Sequence, residues 1–130
     1  MNARTCLTIA LSPLALAACA YGQPAERKPV APAATVVGEA QSCIPLHQIR
    51  ESKIRDDWTI DFIGNGNQVW RNALPNRCSG LRSENKFSYK TSLSQLCSTD
   101  IIRVLHQYGG SIQEGAGCGL GSFVPVKLER

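Results

Sequence analysis

The stretch Trp58-Thr59-Ile60-Asp61-Phe62 alternates apolar and polar side chains, and a second run, Gln68-Val69-Trp70-Arg71, follows after Gly64-Asn65-Gly66-Asn67. Alternation with a period of two is typical of a half-buried β-strand. Because Asn-Gly tolerates positive φ at the centre of a tight turn, the two runs predict a β-hairpin. We expect Trp58, Ile60 and Phe62 to face a core. A two-residue and a three-residue loop would pair Ile60 differently, and the sequence leaves this register open.

Weaker strand patterns lie on both sides of this hairpin. The first runs from Ile44 to Ile49, extendable to Ile54, with Pro45 limiting pairing near its start. The others are residues 86–90, 101–105 and 122–126. Between them, residues 74–85 and 91–100 are predicted as turns or single helical turns, with Ser94-Gln95-Leu96-Cys97 as a short helix. About six short strands separated by turn signals predict a mainly β fold, a small antiparallel barrel or sandwich, with α+β as the alternative.

The start of the chain has the pattern of an export signal. The apolar run from Leu7 to Ala18 contains Pro13 and is shorter than the about 20 residues of a membrane-spanning helix, so it is typical of a signal peptide. Leu16-Ala17-Ala18-Cys19 resembles the lipobox of bacterial lipoproteins at all four positions. The resemblance implies that Cys19 receives a diacylglycerol thioether and becomes the acylated N-terminus after cleavage.

Two alternatives to lipidation remain open. Ala18-Cys19-Ala20 also fits the A-x-A cleavage pattern, which would release a periplasmic protein beginning at Tyr21. Alternatively, Cys19 is an incidental apolar residue of the signal, as we interpret Cys6. No aspartate follows Cys19 to resemble an inner-membrane retention signal. The lipoprotein resemblance therefore implies the inner leaflet of the outer membrane, facing the periplasm, with the membrane as a partner through the anchor at Cys19.

The chain divides into three parts by composition. Residues 1–18 are the predicted signal peptide, residues 19–42 a lipidated N-terminus with a flexible tether, and residues 43–130 a single small β domain. The tether is rich in proline and alanine and lacks a periodic apolar pattern, so it cannot bury enough surface to order itself.

Four cysteines lie in the predicted domain, at Cys43, Cys78, Cys97 and Cys118. Their spacings of 35, 19 and 21 residues provide neither the close pairs of a zinc site nor a C-x-x-C redox motif. An even number in an exported chain predicts two structural disulfides. Of the three possible pairings we favour Cys78–Cys97 with Cys43–Cys118, because the second would join the two ends of the domain.

Candidate catalytic residues do not form a recognisable motif in the sequence. His47 and His106 lie far apart, and neither has a marked serine or cysteine nucleophile beside it, although a triad is defined by geometry. Adjacent strand residues point to opposite faces, so Asp56 and Asp57, with Asp61, are interpreted as turn or strand-entry caps. Asp100 is interpreted as a local hydrogen-bonding partner of the strand that follows it.

The glycine-rich stretch from Gly115 to Gly121 fits neither G-x-G-x-x-G nor G-x-x-x-x-G-K-[ST]. We expect these glycines to permit close backbone approach to a neighbouring strand. The formal net charge is only +4 and the basic residues are scattered, which gives nucleic-acid binding little support. Tyr89 between Lys86 and Lys90 is either a small anionic contact or, as we favour, part of a solvated strand face.

From Cys43 onward the chain resembles an uncharacterised family of small exported proteins and lipoproteins of Gram-negative bacteria. The resemblance covers nearly the whole folded part and implies no activity. It is carried by Cys43 with Ile49, Asp57-x-Thr59-x-x-Phe62, Arg71-Asn72-x-Leu74-x-x-x-Cys78-x-Gly80-Leu81, Leu96-Cys97-x-x-Asp100-x-Ile102 and Cys118-x-Leu120-Gly121-x-Phe123.

These features predict a non-enzymatic envelope lipoprotein that binds or supports a periplasmic or membrane partner, without a cofactor, a metal or nucleic acid. A second hypothesis is an inhibitor of an envelope-attacking hydrolase, by analogy with small lipidated β-barrel lysozyme inhibitors. A third is a small hydrolase that uses His47 or His106.

Overall fold

A computed structural model describes residues 30–91 and 93–130 of the chain. Cys19 and the predicted signal peptide lie outside the described residues. The helices are a 3-10 turn at Leu46–Gln48 and α1 (Leu81–Glu84). The strands are β1 (Ala34–Val36), β2 (Cys43–Pro45), β3 (Ile49–Asp56), β4 (Thr59–Gly64), β5 (Val69–Ala73), β6 (Phe87–Tyr89), β7 (Gln95–Cys97), β8 (Ile101–Tyr108), β9 (Ser111–Gly119) and β10 (Phe123–Leu128).

The strands form antiparallel sheets arranged like a sandwich, without closing into a barrel. The largest sheet has the order β1-β10-β5-β4-β3, a second has the order β6-β8-β9, and β2 pairs with β7. Phe62 of the first sheet and Phe87 of the second meet edge to face, with ring centroids 6.4 Å apart. The mainly β prediction is confirmed, although the described residues contain more strands than the six expected.

The predicted hairpin is present as β4 and β5. Phe62 lies opposite Trp70 and Ile60 lies opposite Asn72, which decides the register that the sequence left open. The loop has three residues, because Gly64 N–H donates to the Gln68 carbonyl at 2.8 Å, and Gly66 at its centre has φ +65°. Ile60 and Phe62 are fully buried, whereas Trp58 lies just before β4 and is half-buried.

The core lies between the two larger sheets. Its members are buried apolar side chains from strands, loops and α1, far apart in sequence: Ile44, Ile60, Phe62, Trp70, Leu74, Cys78, Leu81, Leu96, Ile102, Val104, Leu120 and Phe123. Burying such side chains is the main favourable contribution to folding, roughly 1.5–3 kcal/mol for each large one.

The prediction of a helix at 94–97 was wrong. Residues 95–97 form β7, which pairs with β2 so that Leu96 lies opposite Ile44, and both side chains are fully buried. A three-residue segment has little intrinsic preference, so this long-range pairing decides its conformation. The predicted strand from Ile44 to Ile54 is instead divided into β2 and β3 by the 3-10 turn.

Two disulfides are present, as predicted, but the favoured pairing was wrong. The bonds join Cys43 to Cys97 and Cys78 to Cys118. Cys43 and Cys97 are direct neighbours in the β2–β7 ladder, which brings their side chains together. The two ends of the domain need no disulfide, because β1 and β10 pair from Ala34–Leu128 to Val36–Val126. The disulfides indicate an oxidising, extracytoplasmic compartment.

The boundary of the predicted tether also needs correction. Residues 34–36 form β1 at the edge of the five-stranded sheet, and Val37 N–H donates to the Pro125 carbonyl at 2.9 Å. Gln41 and Phe123 exchange a pair of backbone hydrogen bonds at 2.8 Å. The folded unit therefore begins before Cys43, since this segment lies alongside β10 and hydrogen bonds to it.

Candidate functional site

The long hairpin β8–β9 forms the outer edge of the three-stranded sheet. Its turn has two residues, Gly109 and Gly110, because Tyr108 pairs with Ser111. Only Gly109 has a positive φ, of +59°, which is the pattern of a type II′ turn and matches the twist of the hairpin. β9 follows β8 in the sheet order and has no further strand beside it among the described residues. One side of this long strand is therefore open.

The backbone groups along that open edge can be assigned from the pairing of β8. Leu105 N–H donates to the Lys86 carbonyl at 3.0 Å, so Leu105 directs its backbone groups away from β9. Alternate residues of a strand point the same way, so Ile101 and Arg103 do likewise. Their partners on β9 must then direct N–H and C=O outwards. These outward residues are Glu114, Gly117 and Gly119, together with Ile112 two positions before Glu114.

Glycines on β9 let side chains of β8 lie across it. A β-carbon on Gly117 would lie 3.2 Å from Ile101 Cγ2 and 3.5 Å from Arg103 Nη1, and one on Gly119 would lie 4.0 Å from Ile101 Cδ1. Both β8 side chains therefore extend over β9 toward its open edge. Among the described residues Arg103 has no ion pair, and Ile101 is 48% exposed. The edge thus offers one cation and one apolar surface next to open backbone groups.

A β-bulge interrupts β9 at Gly115 and Ala116, where the register shifts by one residue opposite Val104. Gly115 is required there, because a β-carbon would overlap Nε2 of His106. The His106 ring also has Nδ1 3.1 Å from Glu84 Oε1. This pair connects β8 to α1, and the second imidazole nitrogen faces the β9 backbone.

A cleft of about 300 Å³ lies across β6, β8 and Glu114 of β9 on the solvent face of the sheet. Ser88 Oγ donates to Glu114 Oε1 at 3.1 Å. The Asp100 carboxylate accepts the Cys97 N–H at 2.7 Å, so its hydrogen bond is local but goes to the end of β7 before it, and not to the following strand as predicted. The lining residues are Ser88, Tyr89, Lys90, Thr99, Asp100, Ile101, Arg103 and Glu114. Lys90 therefore reaches the cleft, whereas Lys86 donates to Gln107 Oε1 at 2.7 Å.

The other predicted candidates occupy separate places. His47 is exposed on the 3-10 turn, in a different part of the chain from His106. Asp56 accepts the Trp58 N–H at 2.8 Å, which is the predicted turn cap. Asp57 accepts the Arg82 N–H at 2.9 Å and pairs with Arg77, so it joins the start of α1 to the loop before it.

Asp61 was wrongly interpreted as a cap. It is fully buried on the outer face of the five-stranded sheet, where Arg71 Nε donates to Oδ1 at 2.8 Å and Arg55 Nε donates to Oδ2 at 2.8 Å. Arg71 Nη1 also donates to the Pro32 carbonyl at 2.8 Å. The cluster thus binds the incoming chain to this sheet. Its sequence signal was an acid and an arginine at opposed polar positions of the hairpin.

The pKa of Arg71 is raised by its hydrogen bond to Asp61, against the effect of burial. A cationic group whose pKa is higher in the folded than in the unfolded protein stabilises the fold at every pH below its unfolded-state pKa. That contribution is lost only as the pH rises through the folded-state pKa. Both the unfolded-state and the folded-state pKa lie far above the physiological range, so Arg71 adds no pH dependence to stability in that range.

Among residues 30–91 and 93–130, no group of three or more histidine, cysteine, aspartate or glutamate side chains is arranged to hold a metal ion. The same residues include no helix that is both long and apolar enough to cross a membrane. Comparisons with known protein families, with curated proteins and with solved structures found no match to this chain.

Sequence reasoning missed β9 and Arg103. Glycine recurs at positions 115, 117, 119 and 121, which is the period of a strand and was the available signal. Close backbone approach was expected for this stretch and occurs at Gly121, whose N–H and C=O both hydrogen bond to the Asn72 side chain at 2.8 and 2.7 Å.

Proposed function

We propose that this protein is a lipid-anchored, non-enzymatic envelope protein that binds an extended segment of a polypeptide partner along the open edge of β9. The lipobox resemblance ending at Cys19 supports the anchor, and the resemblance to small exported lipoproteins supports the address. The observation that carries the binding role is the run of outward backbone groups on β9, because an added strand would satisfy them and specificity would come from the flanking side chains.

The edge strand β3 of the five-stranded sheet carries features that hinder strand pairing, and β9 has fewer of them. β3 is also an outer strand, but its register shifts twice, and it carries Arg50, Glu51, Lys53 and Arg55. Bulges and charges of this kind protect an edge from unwanted pairing. β9 has one bulge and a single charged residue, Glu114; its other residues are uncharged. We infer that β9 is the edge left available for a partner.

The position of the tether supports the same role. Pro32 is held by Arg71 on the outer face of the five-stranded sheet, so the chain from the anchor enters the domain on that layer. From Cys19 to Val30 the chain advances eleven residues, which span at most about 40 Å. The domain would therefore stay close to the lipid surface and present the opposite layer, with β8 and β9, toward the periplasm.

The geometry around His106 favours binding over catalysis. Glu84 and His106 resemble the acid–imidazole part of a triad, but the remaining nitrogen of the ring faces Gly115 of β9. Ser83, the hydroxyl on α1, donates to the Gly80 carbonyl at 3.1 Å. A nucleophile needs its hydroxyl directed to the base. We therefore interpret the Glu84–His106 pair as a support for the hairpin.

The anchor is tested by intact mass spectrometry of the protein purified from its native envelope. We expect an N-terminus at Cys19 carrying acyl chains, and loss of those chains with release from the membrane fraction in Cys19→Ala. An unmodified N-terminus at Tyr21 would show ordinary signal cleavage and would contradict the anchor.

The binding edge is tested by site-specific photocrosslinking of the full chain in its envelope. Benzoylphenylalanine replaces Ile112 on β9 or, as the matched control, Lys53 on the protected edge β3; both positions are exposed. We expect a discrete polypeptide adduct from position 112 and none from position 53. Equal adducts from both edges, or no adduct from position 112, would contradict the proposed role. An adduct with an envelope-attacking hydrolase would identify the module as an inhibitor.

A further inference from the structure

We propose that the segment that occupies the open edge is β9 of a second copy of this chain, paired antiparallel so that Glu114 of each copy lies opposite Gly117 of the other. The inference rests on the proposed function of the edge and names its partner. In this register Ile112 lies opposite Gly119 of the second copy, and the bulge residues Gly115 and Ala116 lie opposite each other.

The backbone is self-complementary in this register. Ile112, Glu114, Gly117 and Gly119 are the residues with outward N–H and C=O groups, and each is placed opposite another member of the same set. Opposed residues of this kind exchange two hydrogen bonds in an antiparallel ladder. The extra residue of the bulge is present on both strands, so the pairing stays in step on either side of it. The two three-stranded sheets would join into one continuous sheet.

Charge complementarity favours this register. The Arg103 guanidinium extends over Gly117, because Gly117 has no side chain in that space. Glu114 of the second copy would enter opposite Gly117, on the same face, and so would meet that guanidinium. Glu114 is the one charged residue of β9. Within a single copy its carboxylate accepts the Ser88 Oγ–H at 3.1 Å and forms no ion pair with Arg103, so pairing would replace that hydrogen bond with an ion pair between copies. The two-fold symmetry of the pair makes the contact twice.

Apolar side chains match in the same register. Ile101 lies across Gly117 and Gly119, and Ile112 of the second copy would be placed opposite Gly119. Ile112 is 63% exposed and Ile101 is 48% exposed in the single copy. Pairing would cover both, which gives this exposed apolar surface an occupant without requiring any other protein.

The geometry of two anchored copies is compatible with one membrane. A two-fold axis perpendicular to a continuous sheet keeps equivalent faces of both copies on the same side. The five-stranded layers, with Pro32 bound to Arg71, would therefore lie on one side of the joined sheet. Both tethers would leave toward the same lipid surface, and confinement to that surface would raise the effective concentration of the partners.

The test uses charge exchange between copies, measured by sedimentation velocity of the full mature protein in detergent micelles. Arg103→Glu sets like charges opposite each other at both contacts, and Glu114→Arg does the same. Each variant alone should weaken self-association by roughly tenfold to a hundredfold, from two reversed cross-strand pairs. Arg50→Glu, an exposed arginine on β3, is the matched control and should leave self-association unchanged.

Mixing the two variants provides the decisive result. A copy with Arg103→Glu and a copy with Glu114→Arg have opposite charges at both contacts, so the mixture should regain wild-type association. Rescue in the mixture cannot come from a contact within one chain. A monomeric wild-type protein, variants that associate like wild type, or a mixture no better than its components would each overturn the proposal.

The photocrosslinker at position 112 separates this inference from the proposed function. An adduct of twice the chain mass, lost in Arg103→Glu and retained in Arg50→Glu, supports self-pairing. An adduct with a different polypeptide overturns self-pairing and leaves the binding role in place. Absence of any adduct overturns both. Circular dichroism of each variant shows that the β fold is intact before these outcomes are compared.

Discussion

Removing the Cys43–Cys97 disulfide should destabilise the domain by a large fraction of its total stability. The perturbation is the double variant Cys43→Ala/Cys97→Ala, which leaves Cys78–Cys118 intact. The bond closes a loop with a sequence separation of 54, for which the chain-entropy relation gives about 4 kcal/mol at 25 °C. A domain of this size has about 5–15 kcal/mol in all. We therefore expect a folded but marginal protein.

The second disulfide should cost more to remove, although its loop is shorter. Cys78–Cys118 spans 40 residues, and the entropic contribution is again about 4 kcal/mol. Cys78, however, is fully buried in the core, and its truncation to alanine would remove packed atoms as well. Cys43 and Cys97 are only partly buried. The order of stability should be wild type, then the variant lacking Cys43–Cys97, then the variant lacking Cys78–Cys118.

The assay is urea unfolding of each purified oxidised protein, followed by fluorescence of the buried Trp70. The control is Cys43→Ala/Cys118→Ala, which removes one cysteine from each observed disulfide. It leaves the thiols of Cys78 and Cys97 without their native partners, so it should be the least stable variant. If that control exceeded Cys43→Ala/Cys97→Ala in stability, the assigned pairing would be refuted. Peptide mapping without reduction gives an independent check, since a linked Cys78–Cys97 peptide would contradict the assignment directly.

Two further substitutions test the buried polar cluster and the close approach at the end of β9. Asp61→Asn should lower the free energy of chemical unfolding by about 2–4 kcal/mol, because it leaves two largely buried guanidinium groups without their anion. The control is Glu51→Gln, in the exposed ion pair with Lys53 at 3.8 Å, which should change that free energy by under about 0.5 kcal/mol. Gly121→Ala should cost about 1–3 kcal/mol, because the added methyl group overlaps the Ala73 carbonyl oxygen. Gly110→Ala, with open space around the added carbon, should stay within about 0.5 kcal/mol of wild type, and equal effects at the two glycines would contradict the packing argument.

The candidate binding edge shows how position in the sheet changes the meaning of a sequence. The stretch from Gly115 to Gly121 was interpreted as a place of close backbone approach. In the fold, its residues up to Gly119 belong to an outer strand whose glycines let Arg103 and Ile101 extend toward the open edge. The two side chains come from β8, and neither carries a local signal of binding. Their role depends on which residues lie opposite them.

The sequence by itself determined the hairpin at 58–71, the mainly β class and the presence of two disulfides. These follow from local alternation, a turn that needs glycine, and an even number of cysteines in an exported chain. Tertiary structure alone decided the cysteine pairing, the strand at 95–97, the burial of Asp61 and the open edge of β9. The physical reason is that each depends on residues far apart in the chain, and short segments take the conformation that their long-range partners stabilise.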